Sequence, residues 1–234
     1  MHRLKAEVVD IFSSIQGEGI FLGARQIFVR FKKCNIACAF CDEARSGVSR
    51  QYTSAELQGE VKRVEAESGP HHSVSLTGGE PLCYADFLSV FIKALKGEGF
   101  KTYLETNGTL PAELAKVIGL VDLISMDLKL PSSTGAGVFW DEHFDFLKMA
   151  SDKKIFVKAV VTESTTRDDI EMAASLVKKV KPEIPFILQP ATPVRDSDKP
   201  VDGSRLLGFL EIGLKHKLDA VRIIPQVHGL LGVK

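Results

Sequence analysis

The chain has 234 residues, 44% of them hydrophobic and 26% charged, which suits one domain with a substantial core. Lys plus Arg equals Asp plus Glu at 30 each, so no global field draws the chain to nucleic acid or to an anionic membrane surface. The opening MHRLKAEVVDIF lacks the apolar core of a secretory signal, and no apolar run approaches the roughly 20 residues of a membrane span. The expectation is a soluble cytoplasmic protein acting on a small molecule or another protein.

Apolar, β-branched runs alternate with amphipathic stretches, and no repeat, linker or low-complexity tract interrupts them, so 1–234 reads as a single domain. Strands are predicted at 6–12, 26–32, 73–77, 101–105, 120–127, 155–161, 185–189 and 220–224. Helices are predicted at 54–67, 85–97, 111–118, 143–150, 167–180 and 203–216. Thr53 or Ser54 can cap the first helix, and Pro111 suits a first-turn position, where a missing N–H costs little. Such alternation implies parallel pairing through right-handed crossovers: an α/β sheet that curls into an abbreviated partial (β/α) barrel.

Folds of this kind place ligands at the carboxyl ends of their strands, and the distinctive tetrapeptides fall there. Thr77-Gly78-Gly79-Glu80-Pro81 follows one predicted strand and Glu105-Thr106-Asn107-Gly108 the next. Asp127-Leu128-Lys129 and Gln189-Pro190-Ala191 end two more. Each alone reads as an ordinary turn; four on one side point to a single mouth.

Cys34, Cys38 and Cys41 form Cys-x3-Cys-x2-Cys directly after a predicted strand. Three thiolates on one short loop serve three irons of a cubane and leave the fourth iron open, whereas electron-transfer clusters ordinarily use four cysteines. The alternative is zinc, which needs a fourth ligand such as Cys83 or a distant histidine. The non-enzymatic alternative is a zinc- or cluster-binding interaction module. Upstream, Ser14-Ile15-Gln16-Gly17-Glu18-Gly19 makes a tight loop whose Gln16 and Glu18 offer an amide and a carboxylate to a guanidine-like ring edge. Arg30, on the strand that follows, suits a substrate carboxylate.

Cys-x3-Cys-x2-Cys with Phe40 before the last cysteine, together with the Gly78-Gly79-Glu80-Pro81 turn, resembles the radical S-adenosylmethionine (SAM) superfamily. That resemblance implies a 4Fe-4S cluster on the three cysteines, SAM chelated at the open iron, and a 5′-deoxyadenosyl radical after one-electron reduction. The Ser-x-Gln-Gly-Glu-Gly segment, Thr-Gly-Gly-Glu-Pro, Glu-Thr-Asn-Gly and the terminal Arg222-Ile223-Ile224-Pro225-Gln226-Val227-His228 resemble the 7-carboxy-7-deazaguanine synthase family, from about Ile11 to His228. Members of that family contract 6-carboxy-5,6,7,8-tetrahydropterin to 7-carboxy-7-deazaguanine with loss of ammonia, for queuosine and other deazapurines.

Carried over by position, the resemblance assigns substrate contacts to Ile15, Gln16, Gly17, Glu18, Arg30 and Thr77, with Gln189 and His228 at the mouth. It assigns SAM contacts to Phe40, Cys41 and Asp42, to Gly78, Gly79 and Glu80, and to Asp127, Leu128 and Lys129. It implies Mg2+ beside Asp42, where Glu43 replaces the family's usual hydroxyl residue; a carboxylate is also a hard oxygen ligand. It further implies a homodimer and an electron donor such as flavodoxin or ferredoxin. The same cysteine spacing occurs in glycyl-radical-enzyme activases, whose substrate is a protein backbone; the Gln16–Glu18 loop and the terminal Pro-Gln-Val-His favour the pterin reading.

Overall fold

Strand β1 (Lys5–Ile15) turns at a short 3-10 helix (Gly19–Phe21) into β2 (Arg25–Phe31), and the two pair antiparallel. This is a computed structural model, and it describes residues 4–41, 48–193 and 199–233. A short strand, β3 (Arg50–Thr53), lies on the other side of β1, again antiparallel. From β2 onward every pairing is parallel: β4 (Ser73–Gly78), β5 (Thr102–Thr106), β6 (Leu123–Asp127), β7 (Lys154–Val161), β8 (Phe186–Pro190) and β9 (Val221–Ile223). Among the described residues the sheet has nine strands in the order β3-β1-β2-β4-β5-β6-β7-β8-β9. β3 and β9 are its two edges, so it is an open, partial barrel.

Helices α1 (Ser54–Ser68), α2 (Ala85–Gly97), α3 (Pro111–Leu114), α4 (Pro131–Thr134), α5 (Trp140–Ala150), α6 (Arg167–Val180) and α7 (Gly203–Lys215) connect the strands. The Thr53 hydroxyl accepts from Glu56 N at 3.3 Å while the Glu56 carboxylate accepts from Thr53 N at 2.8 Å, a closed capping box at the head of α1. On α2, Phe87, Leu88, Phe91, Ile92 and Leu95 recur at helical spacing and are all buried.

Strand alternation sorts the sheet into two faces. Ile27, Val29, Val74, Leu76, Leu104, Ile124, Val157, Ala159 and Leu188 join the main core beneath the helices. The other face carries Arg30, Thr77, Glu105, Asp127, Lys158 and Gln189 toward the strands' carboxyl ends. Its lower part is stopped by a small second core of Tyr103, Leu123, Phe156 and Ile187, against which Ile20 and Phe21 pack. Gly19 permits that plug: its φ is +63°, and a Cβ there would overlap the Phe156 ring.

The predicted elements are all present, with ends moved by a few residues. α3 is the exception: it stops at Leu114, where 118 was expected. β3 and the short helices Gly19–Phe21, Pro81–Tyr84 and Pro131–Thr134 were not foreseen. Uniform parallel pairing is corrected at β1, whose two neighbours are both antiparallel; at β2 this follows from the short turn, with no crossover helix, that joins the two strands.

Candidate active site

The polar face opens into a cavity of about 240 Å3 at the carboxyl ends of the parallel strands. The tetrapeptides read from the sequence meet there: Thr77, Gly78 and Gly79 from β4, Glu105 to Asn107 from β5, Asp127 and Lys129 from β6, and Gln189 from β8 all line it. So do Ile15, Gln16, Gly17, Glu18, Arg30, Phe40 and His228.

Cys34, Cys38 and Cys41 line the same cavity, Cys34 and Cys38 half-buried and Cys41 exposed. Burial pushes the Cys38 thiol upward; Lys129 pulls it down, while Asp127, Cys41 and Cys34 push it further up. Cys83 lies outside the cavity lining, and burial followed by the Glu80 charge pushes its thiol up to about 11. Among the described residues no group of three His, Cys, Asp or Glu side chains is arranged to hold a single metal ion. Thiolates that each serve a separate iron need no such convergence. The Lys129 ammonium stands 5.5 Å over the Phe40 ring and 2.7 Å from Asp127 Oδ2. Among the described residues Asp127 Oδ1 and Gln189 Oε1 are buried acceptors without a partner, so this wall still has hydrogen-bonding capacity for a ligand rich in donors. Three cavity-facing thiols beside these acceptors fit a three-cysteine cluster with SAM next to it.

The loop at 16–24 is built from its own polar atoms. Gln16 N donates to Ala24 O at 2.7 Å, Gly23 N donates to Gln16 O at 2.8 Å, and Glu18 N donates to Gln16 Oε1 at 3.0 Å. Gln16 Nε2 donates to Glu105 Oε1 at 2.9 Å and to Gln26 Oε1 at 3.1 Å, so this side chain is buried framework at the cavity floor. Val227 N donates to Gly17 O at 3.0 Å, which lays the C-terminal segment over the loop. A Cβ on Gly17 would strike the His228 ring.

Glu18 reaches across the cavity to Lys158 on β7. It also accepts from Gln226 Nε2 at 2.5 Å and from Gln189 Nε2 at 3.1 Å. Lys158 stands 3.6 Å from Asp127 as well, so one ammonium bridges the two walls. Burial alone would raise the Glu18 carboxyl, but Lys158, Gln226 and Gln189 more than offset it and hold it at about 2. Glu105 differs. Ser75 at 2.6 Å, Gln16 and Thr77 at 3.2 Å donate to it with no cation in contact among the described residues, and burial, then Glu18, raise its carboxyl.

Two assigned residues are not brought to the cavity. Leu128 is in the main core. Glu80 is fully buried: its carboxylate accepts from Asn107 N at 2.7 Å, Thr106 Oγ1 at 2.9 Å and Leu82 N at 3.0 Å, and burial raises it to about 7 despite those bonds. The glycine pair is demanded by the chain's own packing. Cβ atoms on Gly78 and Gly79 would overlap the backbone of Phe31 and Lys33, and Gly78 has φ +107°. Asp42 and Glu43 lie outside the described residues. Lys158 and Asn35 were not singled out from the sequence, and Glu105 and Gln226 stood there only as members of their motifs, although Lys158 in the apolar run KIFVKAVV carried a signal: a lysine buried in a strand needs a partner.

The radical SAM superfamily pattern matches residues 28–177. A 7-carboxy-7-deazaguanine synthase from Geobacter sulfurreducens is 38% identical over 99% of both chains. One from Methanothermobacter thermautotrophicus is 33% identical, also over 99% of both. The crystal structure of QueE from Escherichia coli superposes with a TM-score of 0.64 at 19% identity, covering 95% of this chain and 94% of that one. A radical SAM methyltransferase from Sphaerobacter thermophilus gives 0.65 at 14% identity, over 86% and 66%. At such identities these two structures speak to the fold alone. The superfamily implies SAM and a 4Fe-4S cluster, which decides against zinc for the three cysteines. This chain belongs to the radical SAM superfamily and, within it, to the 7-carboxy-7-deazaguanine synthase family.

Proposed function

We propose that the chain converts 6-carboxy-5,6,7,8-tetrahydropterin into 7-carboxy-7-deazaguanine with loss of ammonia, a radical SAM lyase reaction of queuosine biosynthesis. One observation carries the reading beyond the family resemblance: the Gln16–Glu18 loop, the cysteine loop and the strand-end motifs share one cavity. When bound, cluster and SAM supply reductive cleavage of SAM and hydrogen-atom abstraction. Cys34, Cys38 and Cys41 hold the cluster, while Gly78, Gly79, Phe40, Asp127 and Lys129 frame SAM. Arg30 addresses the pterin carboxylate. Ile15 to Glu18, Thr77, Gln189 and His228 surround the ring, and the Ile20–Phe21 plug closes the floor against water.

Mg2+ is held beside Asp42 and Glu43, with a requirement altered by the carboxylate at 43; product formation indifferent to chelator in both the native chain and Glu43→Ala would contradict this. The protein works as a cytoplasmic homodimer reduced by a flavodoxin or ferredoxin. Among the described residues no helix is long and apolar enough to cross a membrane. The decisive assay is anaerobic, with reconstituted protein, SAM, reductant and the carboxytetrahydropterin, read by mass spectrometry. Product that vanishes in Cys38→Ala is expected; a protein that cleaves SAM and leaves the pterin intact would rule out the substrate.

A further inference from the structure

Three thiols can serve one cluster only if the loop that carries them keeps a fixed shape, yet 34–41 contains neither helix nor strand. On one side Ala39 N donates to Thr134 O at 2.7 Å. On the other, a closed ring of side-chain hydrogen bonds ties the loop to the end of β5. Asn107 Nδ2 donates to Asn35 Oδ1 at 2.8 Å, Asn35 Nδ2 donates to Thr109 Oγ1 at 2.8 Å, and Thr109 Oγ1 donates to Asn107 Oδ1 at 2.6 Å. Thr109 N adds a further bond to Asn107 Oδ1 at 3.0 Å.

Asn107 is also anchored through its backbone. Its N–H is taken by the Glu80 carboxylate, which ties it to the Gly-Gly-Glu-Pro turn. Its carbonyl lies 3.1 Å from Nε2 of His143, a fully buried ring on α5 that burial keeps neutral, with its pKa at about 4. One residue thus joins the cysteine loop, the glycine turn and α5. Asn107 and Thr109 are 5% and 6% exposed, so water is kept from the bond between them, whereas Asn35 sits on the exposed loop beside Cys34.

We propose that Asn35, Asn107 and Thr109 are positioning residues for the iron–sulfur cluster, their hydrogen-bond ring holding the first cysteine of the loop in register with the end of β5. This rests on reading the three thiols as cluster ligands. It makes Asn35, the least buried member, dispensable for folding and important for cluster retention.

The test compares the native chain with Asn35→Ala, Asn35→Asp and Thr109→Val. Each is reconstituted anaerobically with iron and sulfide, then followed by iron and sulfide content, the electron paramagnetic resonance of the reduced cluster and the rate of cluster loss to a chelator. Thermal unfolding of each apoprotein is recorded in parallel. Asn35→Ala is expected to melt like the native apoprotein and lose its cluster about tenfold faster, the equivalent of one to two neutral hydrogen bonds. Asn35→Asp keeps the acceptor for Asn107 and should fall between, and Thr109→Val should shift the resonance in the same sense as Asn35→Ala. A native chain that loads its cluster beside an Asn35→Ala variant of unchanged spectrum and retention overturns the proposal. So does a variant whose apoprotein is destabilised in proportion to its cluster loss, since the ring would then be plain framework. A native chain that takes up no iron overturns the cluster reading itself.

Discussion

Glu18 and Glu80 are carboxylates a few strands apart, each accepting several hydrogen bonds, and their acidities part in opposite directions. Glu80 has three neutral donors and, among the described residues, no cation in contact, and burial lifts it to about 7. Glu18 has two amide donors and the Lys158 ammonium, and sits at about 2. At Glu80 three neutral donors and the more distant Lys129 charge do not offset desolvation, whereas at Glu18 a contacting ammonium with two amide donors does. Two kinds of tie accordingly hold the cavity. A neutral hydrogen-bond framework centred on Asn107 fastens the cysteine loop, and an ionic bridge runs from Glu18 through Lys158 to Asp127.

The sharpest way to break that contrast is Lys158→Met, which turns Glu18 into a second Glu80. Removing one partner of a buried pair costs about 3–5 kcal/mol. The apoprotein should lose that stability in chemical denaturation at neutral pH, and Glu18→Gln in the same chain should recover much of it. A Lys158→Met protein as stable as the native chain would mean that the bridge carries no stability. Glu80→Gln should cost about 1–3 kcal/mol, because an amide NH2 then faces one of the three donors.

The pH dependence of the apoprotein separates the two sites by sign. The folded pKa of Glu18 lies below its ordinary value, so its contribution is complete above about 4.5 and is lost as pH falls toward about 2. Glu80 lies above its ordinary value; the folded state keeps its proton longer than the unfolded chain, so stability is lost as pH rises from about 4.5 to about 7. Each shift of this size corresponds to something on the order of 3 kcal/mol. The native-minus-Glu80→Gln difference should therefore change across the upper window, and the native-minus-Glu18→Gln difference across the lower one. The smallest effect lies outside both sites: Thr53→Ala opens the capping box of α1, should cost about 1 kcal/mol, and should leave turnover per loaded cluster unchanged.

What the sequence disclosed follows from how local each signal is. Period-2 and period-3.6 runs located the strands and helices, and Gly or Pro motifs at strand ends converged on one mouth because parallel α/β topology sends them there. β3 was missed because Arg50-Gln51-Tyr52-Thr53 is short and mostly exposed, an edge strand with no buried face to impose a pattern. Glu80 looked like a ligand-facing carboxylate and proved to be a buried clamp, since a motif does not say which way its side chain turns. The Glu18–Lys158 bridge joins residues 140 positions apart, and the Asn35–Asn107 bond joins residues 72 apart; neither spacing leaves a mark in the chain.

The most direct test of the account, one cavity with a cluster end and a substrate end, is to quantify 5′-deoxyadenosine and 7-carboxy-7-deazaguanine in one anaerobic reaction, for the native chain and for Lys158→Met. The account predicts both products from the native chain, and from Lys158→Met continued 5′-deoxyadenosine with little deazaguanine. Deoxyadenosine without deazaguanine from the native chain, or an unchanged ratio in Lys158→Met, would contradict it.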